Sequence, residues 1–340
     1  MKAAVFYGPN QPLKVEDVPI PQIGPGEILV KVAACGLCHT DLHYIDHGVP
    51  TFKKPPLILG HEISGTVAEV APDVTTFKVG DRVLLPAVMS CGVCDNCREG
   101  RGNICSSMVM PGNDVDGGYA EYIKAPANNT FHLPEEIPLI EGSIIADAIT
   151  TPYHAVKNRG KVRPGDTVVV YGCGGVGLNL VQVANAAGAS VIAVDLAENK
   201  LAKAKELGAV ATFNAGETQD VAKAIRKYTG GGADIAFECI GNPKTMEVAF
   251  NAVRNGGRFV IVGYTEHTMT LNASRVMYRE MEVVGSLGCP LVDYPKVIEM
   301  VRTGKIQVLP MVSKRFSLDE INEGLDYLRS GQGFRSVIIP

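Results

Sequence analysis

Cys38, His39, Thr40, Asp41 and His43 place a thiol, two imidazoles, a hydroxyl and a carboxylate within six residues. The residues just upstream, Ala33-Ala34-Cys35-Gly36, are small and apolar, so the cluster sits at the end of an apolar strand. Cys38 alone would read as a small buried hydrophobe. With Gly60-His61-Glu62 some twenty residues later it gains an imidazole and a carboxylate, the ligand types that zinc prefers. The expected chemistry is a catalytic zinc with a path for its proton close by.

A second cluster is of another kind. Cys91, Cys94, Cys97 and Cys105 follow the pattern C-x2-C-x2-C-x7-C within fifteen residues, with Gly92, Gly100 and Gly102 between them. Such short spacers let successive thiolates turn onto one ion. A closed four-sulfur tetrahedron is the structural zinc pattern; an iron–sulfur cluster is the rival, since two-residue spacers occur there too.

A third motif binds a nucleotide. The apolar run Thr167–Tyr171 leads into Gly172-Cys173-Gly174-Gly175-Val176-Gly177, and a helical pattern follows to Ala187, with Gly188 as its expected stop. The next apolar run, Ser190–Val194, ends at Asp195, 18 positions after Gly177. A strand, a G-x-G-x-x-G turn, a helix and then an acid form the dinucleotide fingerprint: the glycines let backbone approach a pyrophosphate, which the helix N-terminus stabilises. Asp195 would accept hydrogen bonds from ribose hydroxyls and repel a 2′-phosphate, which favours NAD over NADP. A nicotinamide cofactor beside a Cys/His/carboxylate cluster suggests hydride transfer, with zinc as the Lewis acid that stabilises an alkoxide.

The elements that must hold these groups fall into two styles. The first third is β-rich: Val5-Phe6-Tyr7, Glu27–Val32, Gly65–Val70 and Arg82–Leu85 are short runs bounded by Pro and Gly. From about 146 onward, near-continuous apolar strands alternate with helices: strands at 167–171, 190–194, 211–213, 234–238, 258–263 and 281–285, helices at 197–207, 218–229 and 244–254. That alternation means a parallel sheet covered on both faces. The tail changes style again, with helical patterns at 293–303 and 318–330 flanking Phe316 and a last strand at 335–339.

On these motifs the sequence resembles the zinc-dependent alcohol dehydrogenases of the medium-chain dehydrogenase/reductase family over essentially its whole length. The resemblance is carried by Cys38-x-x-Asp41, by Gly60-His61-Glu62 with Gly65, by the four-cysteine lobe, by the Gly172–Gly177 fingerprint and by Asp195 with Lys200. It implies an α/β protein: a GroES-like β-rich catalytic domain plus a Rossmann domain with a doubly wound parallel sheet. The expected boundaries are 1–147 for the catalytic domain with its zinc lobe at about 91–105, 148–288 for the NAD-binding domain, and 289–340 for a return to the catalytic domain. Two zinc ions per chain are implied, one catalytic and one structural. Cys38 and His61 would be catalytic zinc ligands, with Glu62 as a nearby carboxylate able to bind transiently. Thr40 would take the alcohol proton and His43 pass it on. His39 would contact the pyrophosphate, Thr151 lie against the nicotinamide, and Arg335 meet the pyrophosphate. Asp41 would be a supporting or turn residue.

The third zinc ligand departs from the commonest pattern. Many relatives carry Cys in the segment that here reads Ile144-Ile145-Ala146-Asp147-Ala148, so Asp147 would complete the site with oxygen. A weaker local likeness, in Pro86-Ala87-Val88-Met89 and Met110-Pro111-Gly112-Asn113-Asp114 with Gly117-Gly118, points to relatives that oxidise cyclic hydroxyacyl-CoA thioesters. Ala87 would then widen the pocket. His47, His132, His154 and His267 read as loop or core histidines, and Cys35, Cys173, Cys239 and Cys289 as buried fillers.

Bulk properties narrow the class. The chain has 340 residues, 46% hydrophobic and 20% charged, with formal net charge -4. There is no basic footprint for nucleic acid and no run long enough to span a membrane. Nine cysteines, an odd number, argue against a disulfide framework. The expected setting is the cytoplasm, the expected partners a small alcohol or carbonyl substrate and further copies of the chain, as a dimer or tetramer. Two rivals remain: a non-catalytic nucleotide-binding zinc protein, and a zinc-free quinone or enoyl reductase. Neither needs Cys38, His61 and Glu62.

Overall fold

The computed structural model describes residues 1–340, which form two compact units. One comprises Met1–Thr150 with Gly288–Pro340; the other is Thr151–Leu287.

The first unit is built on the long strand Glu27–Leu37. Strand Glu62–Val70 pairs with it antiparallel on one edge, and Arg335–Ile339 pairs with its far end at Ser336↔Leu37 and Ile338↔Cys35. The full sheet has seven strands, and a three-stranded sheet around Lys2–Phe6 completes the unit. Its core is Ile28, Val30, Leu37, Leu57, Leu59, Ile63 and Tyr119, joined by Phe316, Ile321 and Ile338 from the tail. Each such buried side chain stabilises the unit by about 1.5–3 kcal/mol, so the tail is part of this core rather than an appendage.

The second unit is a six-stranded sheet in which every pairing is parallel. Its order is Ala209–Asn214, Ser190–Asp195, Thr167–Tyr171, Ala233–Glu238, Val253–Ile261, Glu282–Gly285. In chain order this is 3-2-1-4-5-6, the doubly wound arrangement that binds dinucleotides where the order reverses. Val168, Val169 and Val170 are fully buried, as a central strand covered on both faces requires.

Two segments go beyond the sequence reading. The chemistry-bearing stretch follows directly on the end of the strand Glu27–Leu37, as expected, and itself forms a helix, His39–Ile45. Asp41 causes the switch: its carboxylate accepts the backbone N–H of Cys38 at 3.0 Å, closing a capping box around Cys38. Residues around Phe316 form a strand, Val312–Ser317, paired in parallel with the last strand. Its only buried side chain is Phe316, so the run carries almost no apolar signal. Asp147 follows a 3-10 turn, Glu141–Ala146.

Candidate functional site: two metal centres and a dinucleotide cradle

The first centre draws on three parts of its unit. Cys38 caps the helix His39–Ile45, His61 immediately precedes the strand that begins at Glu62, and Asp147 follows the 3-10 turn. One ligand atom each from Cys38, His61, Glu62 and Asp147 lies within 4.8 Å of the others. Asp147 Oδ2 is 3.9 Å from Cys38 Sγ and 3.7 Å from His61 Nε2. A tetrahedral zinc bound to sulfur, nitrogen and oxygen would hold such atoms roughly 3.5 Å apart, so a shift of a few tenths of an ångström closes the set. Cys38, His61 and Glu62 are buried, whereas Asp147 is partly exposed, so solvent reaches the centre from its side.

Electrostatics favour a cation there. Arg335 Nε donates to Glu62 Oε2 at 3.1 Å and its Nη2 to Oε1, a two-pronged pair with both partners buried. Arg335 Nη2 also lies 3.8 Å from Asp147 Oδ2. With Cys38 as thiolate, Glu62 and Asp147 ionised and His61 neutral, Arg335 leaves the ligand set with a net double negative charge, which a divalent ion cancels. Burial pushes the Cys38 thiol up, but Arg335 and His61 outweigh it, and its pKa is lowered. Burial pulls His61 down, yet Asp147 and Cys38 raise it well above the usual histidine value.

Supporting residues fix the ligands. Tyr119 Oη donates to Asp41 Oδ2 at 2.7 Å, and Asp41 Oδ1, buried without a hydrogen bond, lies 4.0 Å from His61 Nδ1. That carboxylate faces the Nδ1 side of His61 beyond hydrogen-bond reach, while Nε2 faces Asp147 and the ligand set. Gly60, at φ +95, sits where a Cβ would overlap the Tyr119 ring and Cys35 Sγ, so His61 is presented by a turn only glycine allows. The glycines 112 and 117 of the thioester-like strings pack on the Leu59–Gly60 backbone. They therefore have a structural reason independent of substrate. Ala87, expected on the pocket wall, is buried, with its N–H 3.3 Å from Tyr294 Oη.

Thr40 Oγ1 lies 3.6 Å from Cys38 Sγ, beside the centre. His43 is half-buried one turn further along the same helix, its Nδ1 3.1 Å from Nδ1 of the exposed His47. His39 is exposed.

The second centre is local. Cys91, Cys94, Cys97 and Cys105 bring their sulfurs together, with Cys94–Cys97 at 3.5 Å, Cys94–Cys105 at 3.8 Å and Cys91–Cys97 at 4.0 Å. Zn–S bonds of about 2.3 Å set tetrahedral sulfurs roughly 3.8 Å apart. These separations admit one ion and leave no room for the several irons and sulfides of a cluster. Backbone N–H groups of Cys97 and Ser106 lower Cys94 to about 6, while burial and the neighbouring Cys94 raise Cys97 to about 11.

The cradle lies in the second unit. Strand Thr167–Tyr171 ends at Gly172, and helix Gly175–Ala186 starts from Gly174, which has open space around it. At Gly177 a Cβ would run into the Gly172 carbonyl, so helix and turn close together only without a side chain. Asp195 ends the next strand and accepts N–H groups of Cys173 at 2.7 Å, Leu196 at 2.8 Å and Ala197 at 3.0 Å. This holds the carboxylate rigidly against the glycine turn. Lys200 is half-exposed on the helix Glu198–Glu206, and Thr151 is buried in the short helix Thr150–His154.

Sequence reasoning missed three partnerships. Arg335, expected at a pyrophosphate, is buried against Glu62. Tyr119 carried no signal. The His43–His47 contact did, since residues four apart lie on one helix face.

Comparison with known proteins agrees with this geometry. Residues 24–135 match the alcohol dehydrogenase GroES-like domain family, and residues 175–303 match the zinc-binding dehydrogenase family. The chain is 38% identical over 333 residues to an alcohol dehydrogenase of Geobacillus stearothermophilus, covering 98% of this chain and 96% of that one. It is 35% identical to a sorbitol dehydrogenase of Bacillus subtilis strain 168, covering 96% and 93%. A crystal structure of an NAD-dependent alcohol dehydrogenase superposes with a TM-score of 0.94 at 33% identity, over 100% of both chains. The chain belongs to the zinc-dependent, medium-chain alcohol dehydrogenase family. It is an oxidoreductase that works with NAD and zinc.

Proposed function

From that membership, we propose that the chain oxidises a small primary or secondary alcohol, and reduces the matching carbonyl, at a zinc held by Cys38, His61 and Asp147. The convergence of these three ligand atoms with Glu62 carries the reading. When bound, zinc supplies Lewis acidity and NAD accepts or returns the hydride. The chain's own residues bind, orient and move the proton.

Cys38 and His61 anchor the metal, and Asp147 offers oxygen on the side open to solvent. Glu62 is held by Arg335, which tempers its charge and keeps it at the edge of the ligand set. Thr40 Oγ1, beside Cys38, takes the alcohol proton, and His43 carries it toward water. The turn Gly172, Gly174, Gly175, Val176 and Gly177 receives the pyrophosphate, while Asp195 takes the adenosine ribose and Lys200 stands nearby. His39, Thr151 and Arg335 keep their places as cofactor contacts by the family resemblance. The four cysteines hold a second, structural zinc.

The soluble partner is the alcohol or carbonyl. The chain assembles as a dimer or tetramer, for which the outer strand Glu282–Gly285 leaves a sheet edge to pair, and it works in the cytoplasm. No helix is long and apolar enough to cross a membrane.

The test is a panel on zinc-loaded protein: ethanol, propan-2-ol, sorbitol, L-threonine and a cyclic hydroxyacyl-CoA, each with NAD and with NADP, followed by absorbance of the reduced cofactor. Turnover of a small alcohol with NAD and little with NADP is expected. Turnover of the thioester alone would move the substrate to the alternative class, and reduction of NAD by none of them would sink the reading.

A further inference from the structure

The contact between His43 and His47 has no part in the assignments above. His43 sits in the helix His39–Ile45 and is half-buried, whereas His47 lies just past its end and is exposed. Their Nδ1 atoms are 3.1 Å apart, with rings tilted by 50°. Two nitrogens at that distance share one proton: one ring is the Nδ1–H donor and the other presents a lone pair. A neutral imidazole carries a single N–H, so this contact decides which nitrogen of His43 is basic. If His43 is the donor, its basic nitrogen is Nε2; if His47 is the donor, His43 holds its proton on Nε2 and accepts nothing there.

We infer that His47 is a positioning residue for His43: its Nδ1 accepts the Nδ1–H of His43 and so fixes the tautomer whose Nε2 takes the proton leaving the alcohol. The step balances simply. A proton leaves the Thr40 hydroxyl path and forms the Nε2–H bond, giving a His43 imidazolium; the Nδ1–H···Nδ1 bond to His47 then becomes charge-assisted and stronger. Loss of the Nε2 proton to water restores the starting tautomer. His47 changes neither charge nor composition.

An ion-pair cluster holds the chain beside His47. Asp46, next to His47, is bound by Arg329 from the helix Ile321–Ser330, with Nε–Oδ2 at 2.9 Å and Nη2–Oδ1 at 2.8 Å. Arg329 holds the Asp46 carboxyl below its usual range, and Asp326 completes the cluster at 2.6 Å from Arg329 Nη1.

The inference rests on His43 being the relay, and the experiment separates the two. Initial rates are measured from pH 6 to 9 for His43→Ala, His47→Ala and His47→Asn, with zinc content checked, on the panel alcohol that the wild type oxidises fastest. His47→Ala should lower kcat about fivefold near pH 7, the worth of one hydrogen bond, with KM for the alcohol little changed and the deficit fading by pH 9. Asn places its amide oxygen where His47 has Nδ1, so His47→Asn should stay within about twofold of wild type. A His47→Ala profile that superposes on wild type, or an Asn variant as slow as Ala, overturns the inference while leaving the relay intact. A His43→Ala profile without a loss at neutral pH overturns the relay and this inference with it.

Discussion

The two metal centres of the first unit solve the same problem in opposite ways. The four-cysteine centre takes all its ligands from one stretch of fifteen residues, and three of the four are partly exposed. Local spacing alone assembles it, and four like thiolates leave no place for a substrate. The Cys38 centre takes ligands from positions 38, 61, 62 and 147, three of them buried, in three different chemistries. Long-range packing assembles it, and its mixed donors leave it electrostatically unfinished without a cation. A closed, sulfur-only site serves stability, whereas an open, mixed site serves chemistry.

The largest test of this contrast is His61→Ala or Cys38→Ser. Either should lower kcat/KM by at least about 10³-fold, since several kcal/mol of charge stabilisation are lost. Zinc should fall from two per chain to one, with folding retained. A variant that kept two zincs and lost activity would break the contrast. Chelation comes next: with one thiolate against four, the Cys38 centre should release zinc first, so activity vanishes while half the metal remains. Asp147→Cys should slow that release on the order of tenfold, measured as chromophoric chelator uptake beside residual activity. In the lobe, Cys105→Ser should cost on the order of 5 °C in Tm and change kcat less than stability, as a melting scan and a rate assay would show. The smallest effect concerns zinc-free protein. With Cys94 at about 6, its thiolate dominates at pH 7, so iodoacetamide should modify Cys94 before Cys97, which sits at about 11. Lowering the pH to 5 protonates Cys94 and should slow its reaction about tenfold; peptide mapping reads both.

Legibility in the sequence followed the range of the forces involved. Most strands of the second unit stand within a residue or two of their apolar runs, Thr167–Tyr171 among them, because a strand buried on both faces needs an unbroken apolar segment; Val253–Ile261 begins five residues ahead of its run at 258–263. The lobe was legible because its spacing is its geometry. The helix at His39 was hidden, since its cap is the side chain of Asp41 bonding back to Cys38 rather than a Ser or Asn before an apolar stripe. The strand Val312–Ser317 was hidden because Phe316 alone faces the core. Asp147 beside Cys38, and Tyr119 beneath Asp41, join positions about eighty to a hundred apart in a pack of side chains that no local pattern encodes. Family likeness supplied Asp147; nothing supplied Tyr119.

The Glu62–Arg335 pair also sets an order of events during synthesis. Cys38, His61, Glu62 and Asp147 leave the ribosome early, and the whole dinucleotide-binding unit follows before Arg335 is made. Until then Glu62 lacks its buried counter-charge, and the strand that seals the far end of Glu27–Leu37 is absent. A nascent chain can gather the metal ligands but cannot dry them. The charge balance of the centre therefore depends on the last strand of the chain, which also closes the far end of Glu27–Leu37.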